Sequence, residues 1–401
     1  MSHLEDSPTK TEQAIDIRFD LRTALYSIDE QARAYEYLLQ VQALAEDAED
    51  RRRLGWVWVF LAQHMRATVD HPRAVELGEQ ALAIADETGD GGLRILALNV
   101  VGQSTHELGH FQRAIDLLKP QVDSLVGTSD YERGRQHVAA ASSWRGVLAF
   151  CLAWQGNFRE ASEYVEEALR IAEETNHPQT LDSANSQASL VAALSGDVPL
   201  AIRRSERSLA IAAGLGVQPH PSRRAFLGYT YSLAGRAEEA VAQLEQALAR
   251  AEVIRHFACS SLWTEWLAGA YLLAGRRTDA ERTAERALKL ARDYREHGFE
   301  GYALRQLGDV LAADKLPDVA RTEDLYMQAL AIAEALEMRP LQAHTHLSLG
   351  KLYRRTGRVD EARAELNVAI DLYFTLEMAQ RLPEAEAELT ATASPSAETV
   401  G

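Results

Sequence analysis

The sequence predicts an all-α chain, a right-handed superhelix (α-solenoid) of about nine stacked helical hairpins closed by a C-terminal capping helix. Three observations carry this. A turn glycine recurs at Gly109, Gly156, Gly196, Gly235, Gly275 and Gly357, with spacings of 47, 40, 39, 40 and 82 residues, the last being twice 41. A fixed period of this length marks a repeat architecture. Five residues after these glycines stand Ala114, Ala161, Ala201, Ala240, Ala280 and Ala362, and twelve after four of them stand Ala168, Ala247, Ala287 and Ala369. Small side chains there let two antiparallel helices approach closely. Finally, apolar residues follow helical spacing, as in Ala161, Tyr164, Val165, Ala168, Leu169 and Ala172, and no strand-like alternation competes with it.

Taken in order, the hairpins are expected at about 11–48, 49–89, 91–127, 132–176, 178–216, 219–256, 257–297, 298–337 and 340–378. Their first helices open near residues 15, 55, 95, 142, 182, 221, 261, 301 and 343. The eighth hairpin has lost its glycine, and its turn is the insertion Ala313 to Val319, where Pro317 stops the first helix. Residues 379–389 read as a helix capping the last apolar face. Residues 1–10 are expected to fray, and residues 390–401, small and polar, to be disordered.

Seven residues before the glycine stand Gly102, Gly228, Ala268 and Gly350, each preceded by Val101, Leu227, Leu267 or Leu349. This is the tetratricopeptide (TPR) pattern, W-x2-L-G-x2-Y with a small residue in the second helix, in a version longer than the usual repeat of about 34 residues. The segments Met338 to His344 and Leu347 to Gly357, with Ala268 to Gly275 and Ala14 to Tyr26 upstream, resemble the TPR region of bacterial proteins that join a class III adenylate/guanylate cyclase domain and an AAA-type ATPase to TPRs. Such long-repeat arrays are also similar to the sensor regions of signal-transduction ATPases such as the maltose-regulon activator. The resemblance implies a scaffold or sensor associated with a nucleotide cyclase or ATPase. It does not extend to nucleotide chemistry, because Gly350-Lys351 is followed by Leu352 and the chain has no G-x-x-x-x-G-K-[ST] loop. No cofactor is expected.

The formal net charge of -17 repels a phosphate backbone, so nucleic acid is not expected as a direct partner. The apolar stretch Leu54 to Ala62 is far shorter than the roughly 20 residues a bilayer span requires, so no membrane association is expected. The N-terminal MSHLEDSPTK lacks the basic flank and apolar run of a signal peptide, so a cytoplasmic location is expected. Cys151 and Cys259 are too few for a disulfide framework and read as small buried hydrophobes.

The sharpest enzymatic signal is His106-Glu107-Leu108-Gly109-His110, a match to the zincin sequence H-E-x-x-H. Repeat register makes Gly109 the inter-helix turn, so His110 lies beyond the helix that carries His106 and the two rings should diverge. His344 and His346 sit about 200° apart around a helix and cannot share one ion. Ser348 and Lys351 mimic S-x-x-K only through turn-to-turn spacing. No catalytic or metal residue is expected, and the chain is read as not an enzyme.

What remains is a surface. The first helix of each hairpin lines the concave side, and register nominates Trp56, Val59, Phe60, Asn99, Gln103, Phe150, Gln187 and Phe226, and above all Tyr229, Glu265, Trp266, Tyr302, Arg305, His344, Lys351 and Arg354. Trp56, Phe60, Phe150 and Phe226 have an alternative place in the inter-repeat core. Asn99, Gln103, Glu265 and Lys351 have one as solvated lining without a ligand. Aromatic residues interleaved with polar ones suit a protein segment or peptide. With Arg355 and Arg358 close by, the last hairpin is expected to present a basic groove end that captures an acidic or amphipathic segment. The expected function is therefore a non-catalytic interaction scaffold or regulatory sensor, with a small-ligand sensor as the alternative and a zinc hydrolase on the HELGH segment as the rival of another class.

Overall fold

The computed structural model describes residues 8–27, 30–124 and 135–393. Among them stand nineteen α-helices and no strand. They pair as α1 (Pro8–Ser27) with α2 (Gln31–Asp47), α3 (Arg51–Ala67) with α4 (His71–Thr88), α5 (Gly91–Glu107) with α6 (Phe111–Ser124), α7 (Arg135–Trp154) with α8 (Phe158–Thr175), and α9 (Pro178–Ser195) with α10 (Val198–Gly214). The series continues with α11 (Pro221–Leu233) and α12 (Ala237–Val253), α13 (Ser260–Leu273) and α14 (Arg277–Asp293), α15 (His297–Ala312) and α16 (Val319–Ala335), and α17 (Arg339–Arg355) and α18 (Val359–Thr375), ending in α19 (Leu382–Ala393). From α3 onward each first helix also touches the first helix of the next hairpin, so this row forms the inner face of a superhelix.

The repeat positions explain the hairpins. All ten alanines at the fixed offsets are fully buried. Gly102, Gly228 and Gly350 each face a leucine of the partner helix, and a Cβ there would lie 2.8, 2.7 and 2.6 Å from Leu118, Leu244 and Leu366. Asp50, Asp70, Asp90, Asp197 and Asp318 cap helices by accepting from a backbone N–H one turn on, each stabilising its helix by about 1 kcal/mol. Hairpins six, seven and nine share a further tie, in which Arg236, Arg276 and Arg358 cover the rings of Tyr231, Tyr271 and Tyr353 at 3.8, 4.3 and 3.9 Å. Those tyrosine hydroxyls donate to Glu206, Glu245 and Glu323.

The superhelix closes on itself. The turns of hairpins three, four and five pack against hairpins eight and nine and the segment before α19: a Cβ at Gly109 would meet the Gly298 nitrogen at 3.0 Å, one at Gly156 would meet Leu376 at 2.5 Å, and Gly196 lies under Gln380. The corresponding glycines Gly235, Gly275 and Gly357 face open space. Direct bonds span the closure. The Phe257 N–H donates to the Ala67 carbonyl at 2.7 Å, Arg339 donates to the Gln155 carbonyl at 3.0 Å and to Asn157 at 2.6 Å, and Gln380 donates to the Ser195 carbonyl at 3.2 Å.

Two boundaries differ from expectation. Helix α1 starts at Pro8, inside the stretch expected to fray, and a proline in the first turn lacks only a donor that would be unpaired there anyway. Helix α19 continues through Thr390 to Ala393, where Thr392 is buried and accepts from Arg363. The rest of both expected termini (residues 1–7 and 394–401), residues 28–29 of the expected first hairpin, the expected end of the third (125–127) and the expected start of the fourth (132–134) lie outside the described residues.

Candidate functional site

The first helices α11, α13, α15 and α17, with α18, α19, Trp154 of α7 and Tyr326 of α16, line a half-open cavity of 490 Å³. Tyr229, Glu265, Trp266, Tyr302, Arg305, His344, Lys351 and Arg354 all line it. Its wall is aromatic. Tyr229 stacks on Trp266 with ring centres 4.4 Å apart, and Tyr302 meets Trp154 edge-on at 5.1 Å.

The polar side is a buried network. Arg305 pairs with Asp309 and stands 3.7 Å from Glu265. Asp309 also accepts from the Tyr326 hydroxyl at 2.9 Å and from Ser348 at 2.8 Å. Burial raises the Glu265 carboxyl to about 8 against the pull of Arg305, so at neutral pH it holds its proton, and its Oε2 has no partner. Burial holds His344 neutral, with its Nδ1 2.8 Å from the Tyr373 hydroxyl.

The basic groove end is not free. Helix α19 brings acids against it, pairing Lys351 with Glu384 and Arg354 with Glu388 at 2.6 Å, while Arg358 is paired by Glu323 of α16 and Glu361 of α18. Arg355 is turned onto the carbonyls of Ala312 and Asp314. The expectation of an open cationic patch for an acidic segment is therefore corrected, because the cap acts as the counter-charge.

The remaining nominated residues divide. Gln103, Phe150, Gln187 and Phe226 line a second inner cavity of 290 Å³. Trp56 and Phe60 line a surface pocket between α1 and α3, Val59 is core, and Asn99 accepts from Ser143.

The HELGH segment is structural. Glu107 is buried, accepts from Arg66 at 3.1 Å and stands in ion-pair contact with His71 at 3.1 Å, while His110 is exposed beyond the Gly109 turn. His71, fully buried, also contacts Glu296 at 3.2 Å. Burial alone would lower its pKa, but the two carboxylates outweigh that and raise it to about 9. Glu296 further accepts from the Cys259 N–H at 3.1 Å and from the Ser261 hydroxyl. This charged cluster joins hairpins two and three to seven and eight. No sequence signal pointed to His71 or Glu296, which are 225 residues apart. Among the described residues no group of three His, Cys, Asp or Glu side chains is placed to hold a metal ion, and no helix is long and apolar enough to cross a membrane.

Models described as "Tetratricopeptide repeat" match residues 139–213, 222–254 and 343–375. These three segments carry the tetratricopeptide-repeat pattern. No curated protein matches it. Among solved structures, a Rap protein complexed with Competence and Sporulation Factor is similar over 84% of this chain and 99% of its own, at 13% identity and a TM-score of 0.55, which shows a shared fold. A signal-transduction ATPase with a tetratricopeptide repeat sensor, from Pyrococcus horikoshii, is similar at 15% identity and TM-score 0.47, over 92% of this chain and 54% of its own. Bacillus thuringiensis PlcR, in complex with the peptide PapR7 and DNA, is similar at 18% identity and TM-score 0.43, over 55% of this chain and 76% of its own.

The PlcR complex overturns the expectation that nucleic acid is no partner. PlcR, to which this chain is similar in part, is described in complex with DNA as well as with a peptide. Net charge is a sum over the whole chain, whereas a nucleic-acid contact is made by a local surface or by a neighbouring part of the protein.

Proposed function

We propose that the solenoid is a regulatory binding module that takes a short peptide segment into the 490 Å³ cavity. The observation that carries this reading is the convergence of four consecutive first helices on one aromatic-walled, polar-floored chamber. Trp266 stacked on Tyr229 offers a flat apolar face, and Arg305, Gln306 and the protonated Glu265 offer hydrogen bonds to a peptide backbone. The cations of the chamber already have partners within the chain, carboxylates for Arg305, Lys351, Arg354 and Arg381 and backbone carbonyls for Arg355, so apolar side chains and backbone are what the occupant is held by. PlcR is described in complex with a peptide, PapR7, and the Rap protein in complex with Competence and Sporulation Factor. Placement in a cyclase/ATPase signalling system rests on the sequence resemblance alone.

Selection of short random peptides on the immobilised chain tests this. Selected peptides should bind wild type saturably, lose about tenfold or more in affinity with Trp266→Ala, and fail to bind Gly269→Phe, which fills the chamber. Equal binding to wild type and Gly269→Phe, with both folded, would refute the assignment.

A further inference from the structure

The second cavity, of 290 Å³, lies among the first helices beside the closure and shares only Trp154 with the 490 Å³ chamber. Among its lining side chains, Arg66, Gln103, Phe150, Ser183, His220 and Arg223 keep open surface. Arg66 comes from the end of α3, beside the Phe257–Ala67 bond that ties hairpin seven to hairpin two. His220 and Arg223 stand at the start of α11, in hairpin six. Superhelical closure thus brings two guanidiniums and an imidazole from hairpins two and six to one hollow.

His220 presents a defined donor. Its Nδ1 accepts from the Ser222 N–H at 3.3 Å, capping α11, which puts the proton of the neutral ring on Nε2. The ring meets His256 edge-on with centres 4.7 Å apart, and among the described residues no group bonds Nε2. Gln103 and Ser183 add uncharged donors to the same wall.

Electrostatics then selects the guest. The His220 ring is open to the cavity yet deep within the superhelix, and desolvation, followed by His256, Arg223, Arg66 and Arg250, carries its pKa well below the ordinary value. The ring is therefore neutral, and the arginines that act on it set up a local positive field inside a chain of net charge -17. The acids nearby are committed, Glu107 to Arg66 and His71 at 3.1 Å each and Asp182 to Arg223 at 3.2 Å. They offset part of the positive charge, so one further negative charge is matched there and a doubly charged group is not. The body of the guest meets an aromatic surface, Phe150, which stands edge-on to Phe226 with ring centres 6.2 Å apart.

From the convergence of Arg66, His220 and Arg223 on a hollow that also presents Phe150, we infer that this second cavity binds a small aromatic carboxylate, its charged end toward the His220 Nε2–H and the two guanidiniums. At 290 Å³ it lies near the lower end of the roughly 300–1,000 Å³ usual for small-molecule sites, which fits a ligand of one ring. The site is independent of the peptide reading, and its variants touch a different chamber.

Isothermal titration on the full chain at neutral pH tests it with phenylacetate as the probe, against phenylacetamide as its neutral counterpart, phenethylamine as the cation and phenyl phosphate as the dianion. Phenylacetate should bind saturably, more weakly as salt is added, and the other three at least tenfold more weakly than it. His220→Asn keeps a side chain suited to capping α11 but withdraws the Nε2–H, and should weaken phenylacetate about tenfold, the share of one hydrogen bond. Ser183→Phe, at a half-buried lining position, should abolish binding while its circular dichroism stays that of wild type. Three results would overturn the inference: no saturable binding of phenylacetate up to its solubility limit, equal binding of phenylacetamide, phenethylamine or phenyl phosphate, or unchanged phenylacetate affinity in either variant when folded.

Discussion

Replacing His71 tests whether the closed superhelix is held by its buried ion cluster. The ring lies 3.1 Å from Glu107 and 3.2 Å from Glu296, fully buried, with its pKa raised from 6.5 to about 9. By linkage that displacement is stabilisation on the order of 3 kcal/mol. The sign follows from a raised value: the contribution is complete below pH 6.5, where both folded and unfolded chains hold the proton, and is lost as pH rises through about 9. His71→Leu keeps much of the volume but leaves Glu296 buried without its cation, and loss of one partner of a buried pair costs roughly 3–5 kcal/mol. The double variant His71→Leu/Glu296→Gln removes both charges and should recover part of that loss. Urea unfolding across pH, with small-angle scattering to follow the radius of gyration, reads both effects. The free-energy gap between wild type and double variant should be widest below pH 6.5 and narrow through about pH 9, and the single variant should expand. A gap flat in pH, or a single variant as stable and compact as wild type, would refute the reasoning.

Gly228→Ala should destabilise by about 1–3 kcal/mol in thermal or urea unfolding, since the new Cβ meets Leu244 at 2.7 Å and the Ala240 carbonyl at 3.1 Å. Lys351→Glu combined with Arg354→Glu should raise amide exchange in α19 while costing no more than about 1–2 kcal/mol overall, because both pairs are partly solvated. Glu265→Gln should leave stability unchanged below about pH 4.5 and raise it progressively as pH rises toward about 8, because the wild-type carboxyl keeps in the folded chain a proton that the unfolded chain releases. Parallel melting-temperature curves for wild type and Glu265→Gln over that range would contradict the buried, protonated assignment.

Features written into every repeat were legible in the sequence. Alanines such as Ala161 and Ala280 act within one hairpin, and their role follows from a period that linear spacing exposes. The same register brought Tyr229, Trp266 and Tyr302 to one wall, because residues on successive first helices share a face. Contacts between distant hairpins were not legible. Gly109 and Gly235 occupy the same repeat position with φ of 83° and 74°, yet one is pressed against Gly298 and the other faces open space. Nothing in their local sequences separates them, because the difference arises from superhelical curvature summed over many hairpins. The charges of Lys351 and Arg354 were misjudged for a related reason: their partners Glu384 and Glu388 lie outside the repeat, on a helix with its own register.

The contact between His71 and Glu296 also makes the solenoid a lever. Five hairpins lie between the second and the eighth, and a slight rotation at each interface adds along the stack. A change of angle between the helices of the sixth and seventh hairpins would therefore be felt, enlarged, where two carboxylates face one imidazolium. The grip has a short reach, being built of hydrogen bonds and excluded water, and so yields abruptly once stretched. Gradual bending of the array would load that cluster together with the other ties across the closure, Phe257 to Ala67, Arg339 to Gln155 and Asn157, and Gln380 to Ser195.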